Sequence, residues 1–207
     1  MVSARTAFER LQKGNRRFAS NVQADDSHIE TRPAAVADGQ EPFAIILGCS
    51  DSRVPAEIVF DQGLGDLFVI RVAGNIVAPS QIGSVEFAAT KFGTRLVVVL
   101  GHSKCGAIEE TMLQLQKATE NRSPNLRSIV DFVRPSVEPL LAQGLGDNPD
   151  ALIEQAVRAN IRASVEQMRH GSEIIEDLER DEGLVIVGAE YSLETGLVDF
   201  FDGVPSR

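Results

Sequence analysis

The two cysteines of the chain lie near the ends of two apolar segments, beside polar residues suited to chemistry. Cys49 follows the run from Phe43 to Leu47, and Cys105 comes shortly after His102, which follows the run from Leu96 to Leu100. Thiolate and imidazole are preferred ligands of Zn²⁺, and a site with three protein ligands leaves the fourth tetrahedral position open for catalysis. The spacing therefore favours a catalytic zinc site made by Cys49, His102 and Cys105. On pattern alone, small buried apolar cysteines remain the alternative interpretation.

Asp51 and Arg53 form a second candidate site, close to Cys49 in the sequence. With one residue between them on a loop, the guanidinium of Arg53 can bind the Asp51 carboxylate and keep it ionised and oriented. That carboxylate could accept a hydrogen bond from a water on the metal, or it could fill the fourth metal position itself. An ordinary loop ion pair, which contributes little to stability, is the alternative.

The chemistry requires elements that bring these segments together, and the hydrophobic pattern predicts such elements. Short apolar runs predict buried strands over residues 43–48, 66–72, 96–100 and 184–188, with a possible fifth over 196–201. Helical spacing and turn residues predict helices over residues 3–20, 54–60, 80–92, 105–118, 125–143, 149–170 and 172–180. We expect Ser80 to cap the third helix, and Pro135 and Pro139 to kink or break the fifth.

Strands that alternate with helices predict an α/β fold, with a mostly parallel central sheet covered by helices. In such a sheet the carboxyl ends of neighbouring strands lie side by side, and ligands bind at that edge. If the first and third strands are neighbours, Cys49 and His102 meet there. The whole chain, 1–207, is expected to form one domain, in which residues 1–40 supply an N-terminal helix and a polar, extended arm.

Composition excludes several other classes of protein. The net charge of −10 argues against nucleic-acid binding, because phosphate recognition needs an excess of Lys and Arg. No apolar run approaches the roughly 20 residues that a membrane helix requires, so no membrane partner is expected. Charged residues soon after Met1 do not fit a secretory signal, which makes a cytoplasmic location the expectation, a removed leader aside. The absence of a Cys-x-x-Cys pair excludes a thiol redox protein of that type.

At several linked motifs the sequence resembles the β-class carbonic anhydrases. The matching segments are Cys49-Ser50-Asp51-Ser52-Arg53-Val54, Arg71-Val72-Ala73-Gly74-Asn75, Gly101-His102-Ser103-Lys104-Cys105-Gly106 and Tyr191-Ser192-Leu193-Glu194-Thr195-Gly196. The likeness is detailed from Glu41 to Glu110 and looser over the remainder. It implies reversible hydration of carbon dioxide to bicarbonate and a proton.

The resemblance also implies roles for particular residues. Cys49, His102 and Cys105 would be the ligands of one Zn²⁺ per subunit, and Asp51 with Arg53 would be the catalytic dyad. The protein would be a homodimer or a higher homo-oligomer such as a tetramer. Its N-terminal helix would dock on a partner subunit, and the active site would lie near the dimer interface.

The resemblance implies a substrate pocket as well, formed by Gln40, Phe68, Ala73, Phe87 and Gly106. Gln40 lies where one branch of the family carries a glutamine that binds bicarbonate. Phe68 and Phe87 resemble the apolar walls of the CO₂ pocket, with Phe87 reaching in from the other subunit. Another branch, which has a bicarbonate-stabilised closed state, carries Trp three residues before the first cysteine. Here that residue is Ile46, so the closed state is not the expectation.

Two alternatives to CO₂ hydration use the same zinc ligands. One is an enzyme that hydrolyses carbonyl sulfide or carbon disulfide, which differs in pocket access and substrate preference. The other is a non-catalytic zinc- or bicarbonate-binding protein, in which Asp51 closes the fourth metal position. The intact set of Asp51, Arg53 and Gln40 argues against this second alternative.

Overall fold

The computed structural model describes residues 2–21, 34, 36–116, 123–142 and 149–205. The helices are α1 (Ala4–Ala19), α2 (Ala56–Val59), α3 (Pro79–Lys91), α4 (Gly106–Gln116), α5 (Pro124–Ala142), α6 (Pro149–His170) and α7 (Glu173–Asp181). The strands are β1 (Ala44–Gly48), β2 (Leu67–Arg71), β3 (Leu96–His102), β4 (Val185–Tyr191) and β5 (Val198–Asp202). A short 3₁₀ turn, Ala73–Asn75, follows β2. Among the helices of these residues, none is long and apolar enough to cross a membrane.

The five strands form one sheet in the order β2-β1-β3-β4-β5. All neighbours are parallel except β5, which runs antiparallel to β4. The predicted α/β fold with a mostly parallel sheet is therefore confirmed. In the register of β1, Gly48 lies opposite Arg71 of β2 on one side and Leu100 of β3 on the other. The residues that follow Gly48, Arg71 and Leu100 consequently meet at one edge of the sheet.

The core lies on both faces of this sheet, because alternate residues of β1 and β3 point in opposite directions. Ile45 and Leu47 pack into a cluster that helices α3 to α7 cover. Ile46 packs on the other face, against residues of α1 and α2. Strands buried on both faces explain why β1 and β3 are apolar at consecutive positions rather than at alternate ones.

Helix α1 begins as predicted, with Ser3 as its N-cap, whose hydroxyl accepts a hydrogen bond from the Thr6 amide at 3.1 Å. Its apolar face packs on its own chain, where Phe8 meets Phe200 edge to face with the ring centroids 4.9 Å apart. Docking of this helix on a partner subunit stays a prediction. The extended arm predicted for 21–40 lies mostly outside the described residues.

Several predicted details of the elements were wrong. Helix α3 begins at Pro79 rather than being capped by Ser80, and the Gln81 side chain accepts a hydrogen bond from the Ala78 amide at 3.3 Å. Helix α5 runs through Pro135 and Pro139 without a break, since its buried face packs between α4 and α6. Strand β3 continues to His102, because residues 101 and 102 still pair with β4.

Gly14 of α1 provides a test of how closely this helix packs on the end of α2. A Cβ at Gly14 would lie 1.8 Å from the Phe60 carbonyl oxygen, whereas one at Gly83, also helical, would meet nothing within 4 Å. We expect Gly14→Ala to lower the free energy of unfolding by about 1–3 kcal/mol through overpacking. Gly83→Ala should raise it by about 0.5–1 kcal/mol. Urea unfolding of both variants checks this, and equal gains would contradict the tight contact at Gly14.

Candidate metal centre

Three ligand side chains converge where the ends of β1 and β3 meet. Cys49 directly follows β1, His102 ends β3, and Cys105 directly precedes α4. Their ligand atoms all lie within 4.8 Å of one another, and the three residues are 4%, 0% and 2% exposed. The structure thus brings together the three residues that were predicted to bind the metal.

The orientation of His102 fits a metal ligand. Its Nδ1 lies 2.9 Å from the Ser103 carbonyl oxygen, which fixes the ring and directs the other nitrogen away from the backbone. That other nitrogen, Nε2, is buried and has no hydrogen-bond partner among the described residues. A buried polar atom without a partner is costly. Zinc bound tetrahedrally by two thiolates and one imidazole would satisfy it, with ligand atoms about 3.5–4 Å apart.

The surroundings of the two thiols are unequal. Donation from the Cys105 thiol lowers the pKa of Cys49, and although burial opposes this, His102 and the amides of Asp51 and Gly74 lower it further. The same contact, together with burial, raises the pKa of Cys105. Cys49 is therefore the first of the two to become a thiolate, which is the form that binds a metal.

The histidine responds to the same environment. Burial lowers the pKa of His102, but the nearby Cys49 sulfur and the Ser103 carbonyl outweigh it, so that the net pKa is raised. A proton on His102 would compete with a metal for Nε2. Metal binding at this centre is accordingly expected to release protons.

Asp51 and Arg53 form the predicted pair, at the open side of the cluster. Both carboxylate oxygens are held, since Arg53 Nε donates to Oδ1 at 2.9 Å and Nη2 donates to Oδ2 at 2.7 Å. The Arg53 amide also donates to Oδ1 at 2.9 Å. These bonds hold the pKa of Asp51 well below its usual range. Asp51 is thus a fixed, ionised acceptor, and its Oδ2 lies 3.8 Å from His102 Nε2.

The loop that carries Cys49 and Asp51 is supported by an arginine that sequence reasoning placed only within a motif. Arg71, the last residue of β2, donates from Nε to the Cys49 carbonyl at 3.1 Å and from Nη2 to the Asp51 carbonyl at 2.6 Å. The signal for this role was available in the strand order. A residue that ends β2 beside Gly48 must lie next to whatever follows Gly48.

The loop that carries His102 and Cys105 is tied to the turn after β4. The Ser103 amide donates to the Tyr191 carbonyl at 3.0 Å, and its hydroxyl accepts from the Leu193 amide at 3.0 Å. Lys104 adopts a left-handed conformation, with φ at 54°, and pairs with Glu194 at 2.6 Å. The C-terminal motif, residues 191–196, therefore includes a segment, Tyr191 to Glu194, that contacts the loop carrying His102 and Cys105.

The residues predicted to bind substrate are not all near the metal cluster in one chain. Ala73 and Gly106 are, because Ala73 precedes the glycine whose amide contacts Cys49 and Gly106 follows Cys105. Gln40 is exposed and precedes β1, whereas Cys49 follows it, and five residues of strand span about 16 Å. The substrate roles of these residues stay predictions.

The two predicted aromatic walls contact each other at the side of the sheet where β2 lies. The ring centroids of Phe68 and Phe87 are 6.1 Å apart, and Phe92 packs against both. Phe87 is 52% exposed, which is unusual for a large aromatic side chain. Within one chain these rings form a surface cluster rather than a closed pocket.

Comparison with known proteins agrees with this arrangement of residues. The sequence model of the carbonic anhydrase family matches residues 44–198, a span that contains the three predicted ligands and the Asp51–Arg53 pair. The chain belongs to the β-carbonic anhydrase family. Membership of the chain in the glutamine-containing branch of that family stays a prediction.

Individual carbonic anhydrases are similar over nearly the whole chain. Carbonic anhydrase 2 of Mycobacterium tuberculosis is 36% identical over 190 residues, which cover 92% of this chain and 89% of the relative. The Coccomyxa β-carbonic anhydrase, solved with acetazolamide, has a TM-score of 0.73 at 26% identity, over 91% of this chain and 83% of that one. A chain from the crystal structures of two tetrameric β-carbonic anhydrases of Sordaria macrospora shares the fold, with a TM-score of 0.74 at 21% identity, over 97% of this chain and 98% of that one.

Proposed function

We propose that this member of the carbonic anhydrase family is a zinc enzyme that reversibly hydrates carbon dioxide to bicarbonate and a proton. The observation that carries the proposal is the buried cluster of Cys49, His102 and Cys105 with the ionised Asp51 beside it. A site that only stored zinc would need no charged acceptor fixed next to its ligands. Such an acceptor is useful where a water molecule must be oriented for attack.

Cys49, His102 and Cys105 would hold the zinc ion, with one position left for water. Lewis-acid activation of a water molecule near neutral pH is the chemistry that a bound zinc ion supplies here. Asp51 would accept a hydrogen bond from that water and so fix the direction of its remaining lone pairs. Because Arg53 binds both oxygens of Asp51, the carboxylate is held in this role and does not turn freely.

The remaining substrate contacts would form across a subunit interface. Gln40 lies at the edge of the sheet opposite the metal cluster, where Thr94, just before β3, donates to the Pro42 carbonyl at 2.7 Å. Its own chain therefore keeps Gln40 away from Cys49, and only a Gln40 from a partner could reach bicarbonate. The exposed ring of Phe87 is explained in the same way, as a wall that a partner subunit completes. We accordingly propose a homodimer or a higher homo-oligomer such as a tetramer.

Zinc removal and restoration test the proposed function. Stopped-flow measurement should show CO₂ hydration by protein that holds one zinc per chain, loss of that activity after chelation, and recovery with Zn²⁺. A reductant alone should restore nothing, because the thiols act as ligands rather than as a redox pair. Carbonyl sulfide is assayed on the same sample. Zinc-loaded protein that hydrates CO₂ no faster than buffer, or that prefers carbonyl sulfide, would overturn the proposal.

A further inference from the structure

The turn after β2 presents a backbone amide to the sulfur of Cys49. The Gly74 amide donates to Cys49 Sγ at 3.4 Å, so this glycine contributes directly to the electrostatics of the thiolate. Gly74 has φ at 70°, and Asn75 after it has φ at 43°. Glycine adopts this conformation freely and asparagine tolerates it, so the backbone of these two residues does not by itself hold the turn in one position. The position of this amide thus depends on whatever fixes the turn.

The turn does not stabilise itself through its own asparagine. Asn75 is 2% exposed, and its Nδ2 has no hydrogen-bond partner among the described residues. Within the turn, the Asn75 amide donates to the Val72 carbonyl at 3.0 Å. That bond also sets the direction of the Gly74 carbonyl, which belongs to the same peptide unit and still needs a hydrogen-bond partner of its own.

Asn160 of α6 supplies the missing contact. Its Nδ2 donates to the Gly74 carbonyl at 2.8 Å, and the residue is 2% exposed. The next residue of the helix, Ile161, lies against the segment that carries the other ligand. A Cβ at Gly101, beside His102, would come within 2.5 Å of Ile161 Cδ1. Asn160 therefore contacts the turn that lies against Cys49. Ile161 packs against Gly101, which directly precedes His102.

We propose that Asn160 is a positioning residue that holds the Gly74 turn and thereby keeps the Gly74 amide on the sulfur of Cys49. The inference rests on the proposed zinc site, but it concerns how the ligand is supported and not which substrate is used. Groups that support metal ligands typically change metal affinity about 10- to 100-fold when they are removed. A buried asparagine that served only stability would leave the metal site unchanged.

Asn15 supplies a matched control, because it is a similarly buried asparagine that bonds backbone groups of α2 and of residues 196 and 198 rather than the turn beside Cys49. It is 3% exposed, donates to the Val59 and Gly196 carbonyls, and accepts from the Val198 amide. Asn15→Leu should lower the free energy of unfolding at least as much as Asn160→Leu, since it leaves more polar groups without partners. The two variants then differ mainly in whether the lost hydrogen bond lies on the turn that contacts Cys49.

The experiment compares zinc release to a chelator, and the absorption of the Co²⁺-substituted protein, in wild type, Asn160→Leu, Asn160→Ser and Asn15→Leu. We expect both Asn160 variants to release zinc about 10-fold faster. Their thiolate-to-Co²⁺ charge-transfer band should move to longer wavelength, because a sulfur that loses an N–H donor gives up electrons more easily. Asn15→Leu should match wild type in both measurements. The serine variant avoids the bulk of leucine. If Asn160→Leu does not fold, Asn160→Ser alone is compared with wild type and Asn15→Leu.

Two outcomes separate this inference from the proposed function. Zinc release and cobalt spectra in the Asn160 variants that match those of wild type or Asn15→Leu would overturn the role of Asn160. Wild-type protein that binds zinc without hydrating CO₂ would overturn the proposed function, and the spectra would still decide the role of Asn160.

Discussion

Replacing His102 by asparagine is expected to abolish zinc retention and to lower CO₂ hydration by more than about 100-fold, beyond the usual effect of losing a supporting group. His102 supplies the only imidazole in the ligand cluster, and its Nε2 is the buried atom that a metal would satisfy. Asparagine can keep a polar contact near the Ser103 carbonyl, but it is a poor zinc ligand. Zinc content after dialysis against a chelator and stopped-flow rates provide the two measurements.

His170 offers a control of the same chemical change. It is exposed at the end of α6, where its Nδ1 lies 3.1 Å from Glu176. His170→Asn should keep one zinc per chain and a wild-type rate. If His102→Asn retained zinc as wild type does, the cluster of Cys49, His102 and Cys105 would not be the metal site.

The cluster of candidate metal ligands could be predicted because its signals are local. Cys49 and His102 each follow an apolar run, and residues after neighbouring parallel strands must meet at one edge of the sheet. Arg53 could be paired with Asp51 for a similar reason, since one residue separates them. Such predictions need the positions of the strands, which short hydrophobic runs indicate, and the assumption that the first and third strands are neighbours.

Other features depend on contacts between distant parts of the chain, so that the sequence pattern concealed them. Asn15 interrupts the apolar stripe of α1, and the structure shows it joining α1 to residues more than 40 positions away. Asn160 looks like an ordinary polar residue of α6, yet it is buried on the Gly74 carbonyl. The hydrogen-bond partners of Asn15 and Asn160 cannot be identified without knowing how the helices pack on the sheet. Pro135 and Pro139 show the reverse case, in which tertiary packing overrides a strong local signal.

The role of Gln40 is a third kind of case, in which a motif position implies a contact that one chain does not make. The pattern of the family places a glutamine before the first strand, and the parallel strand then carries the chain away from it. The strand direction accounts for the apparent conflict if the proposed contact of Gln40 with substrate is made by another subunit. The prediction of an oligomer is therefore tied to the prediction for Gln40.

Replacing Asp51 by asparagine is expected to lower CO₂ hydration by about 100-fold, as loss of a positioned proton acceptor typically does. Asparagine preserves the shape of the side chain, but it removes the charge that Arg53 stabilises and presents an amide in place of one oxygen. The water would then lose its fixed acceptor. Zinc content should remain at one per chain, since Asp51 is not among the three ligands.

Asp61 provides the matched control, because it also forms a charged hydrogen bond with an arginine, Arg17, at 2.5 Å, outside the metal cluster. It has φ at 49°, a conformation that asparagine tolerates well. Asp61→Asn should lose a comparable ion pair and keep the wild-type rate. The comparison also separates the catalytic from the non-catalytic use of Asp51. In the non-catalytic alternative, Asp51 fills the fourth metal position and the wild type hydrates no CO₂. Asp51→Asn would then weaken zinc binding and could not lower the hydration rate. Equal rates in Asp51→Asn and wild type, with zinc retained, would refute the dyad.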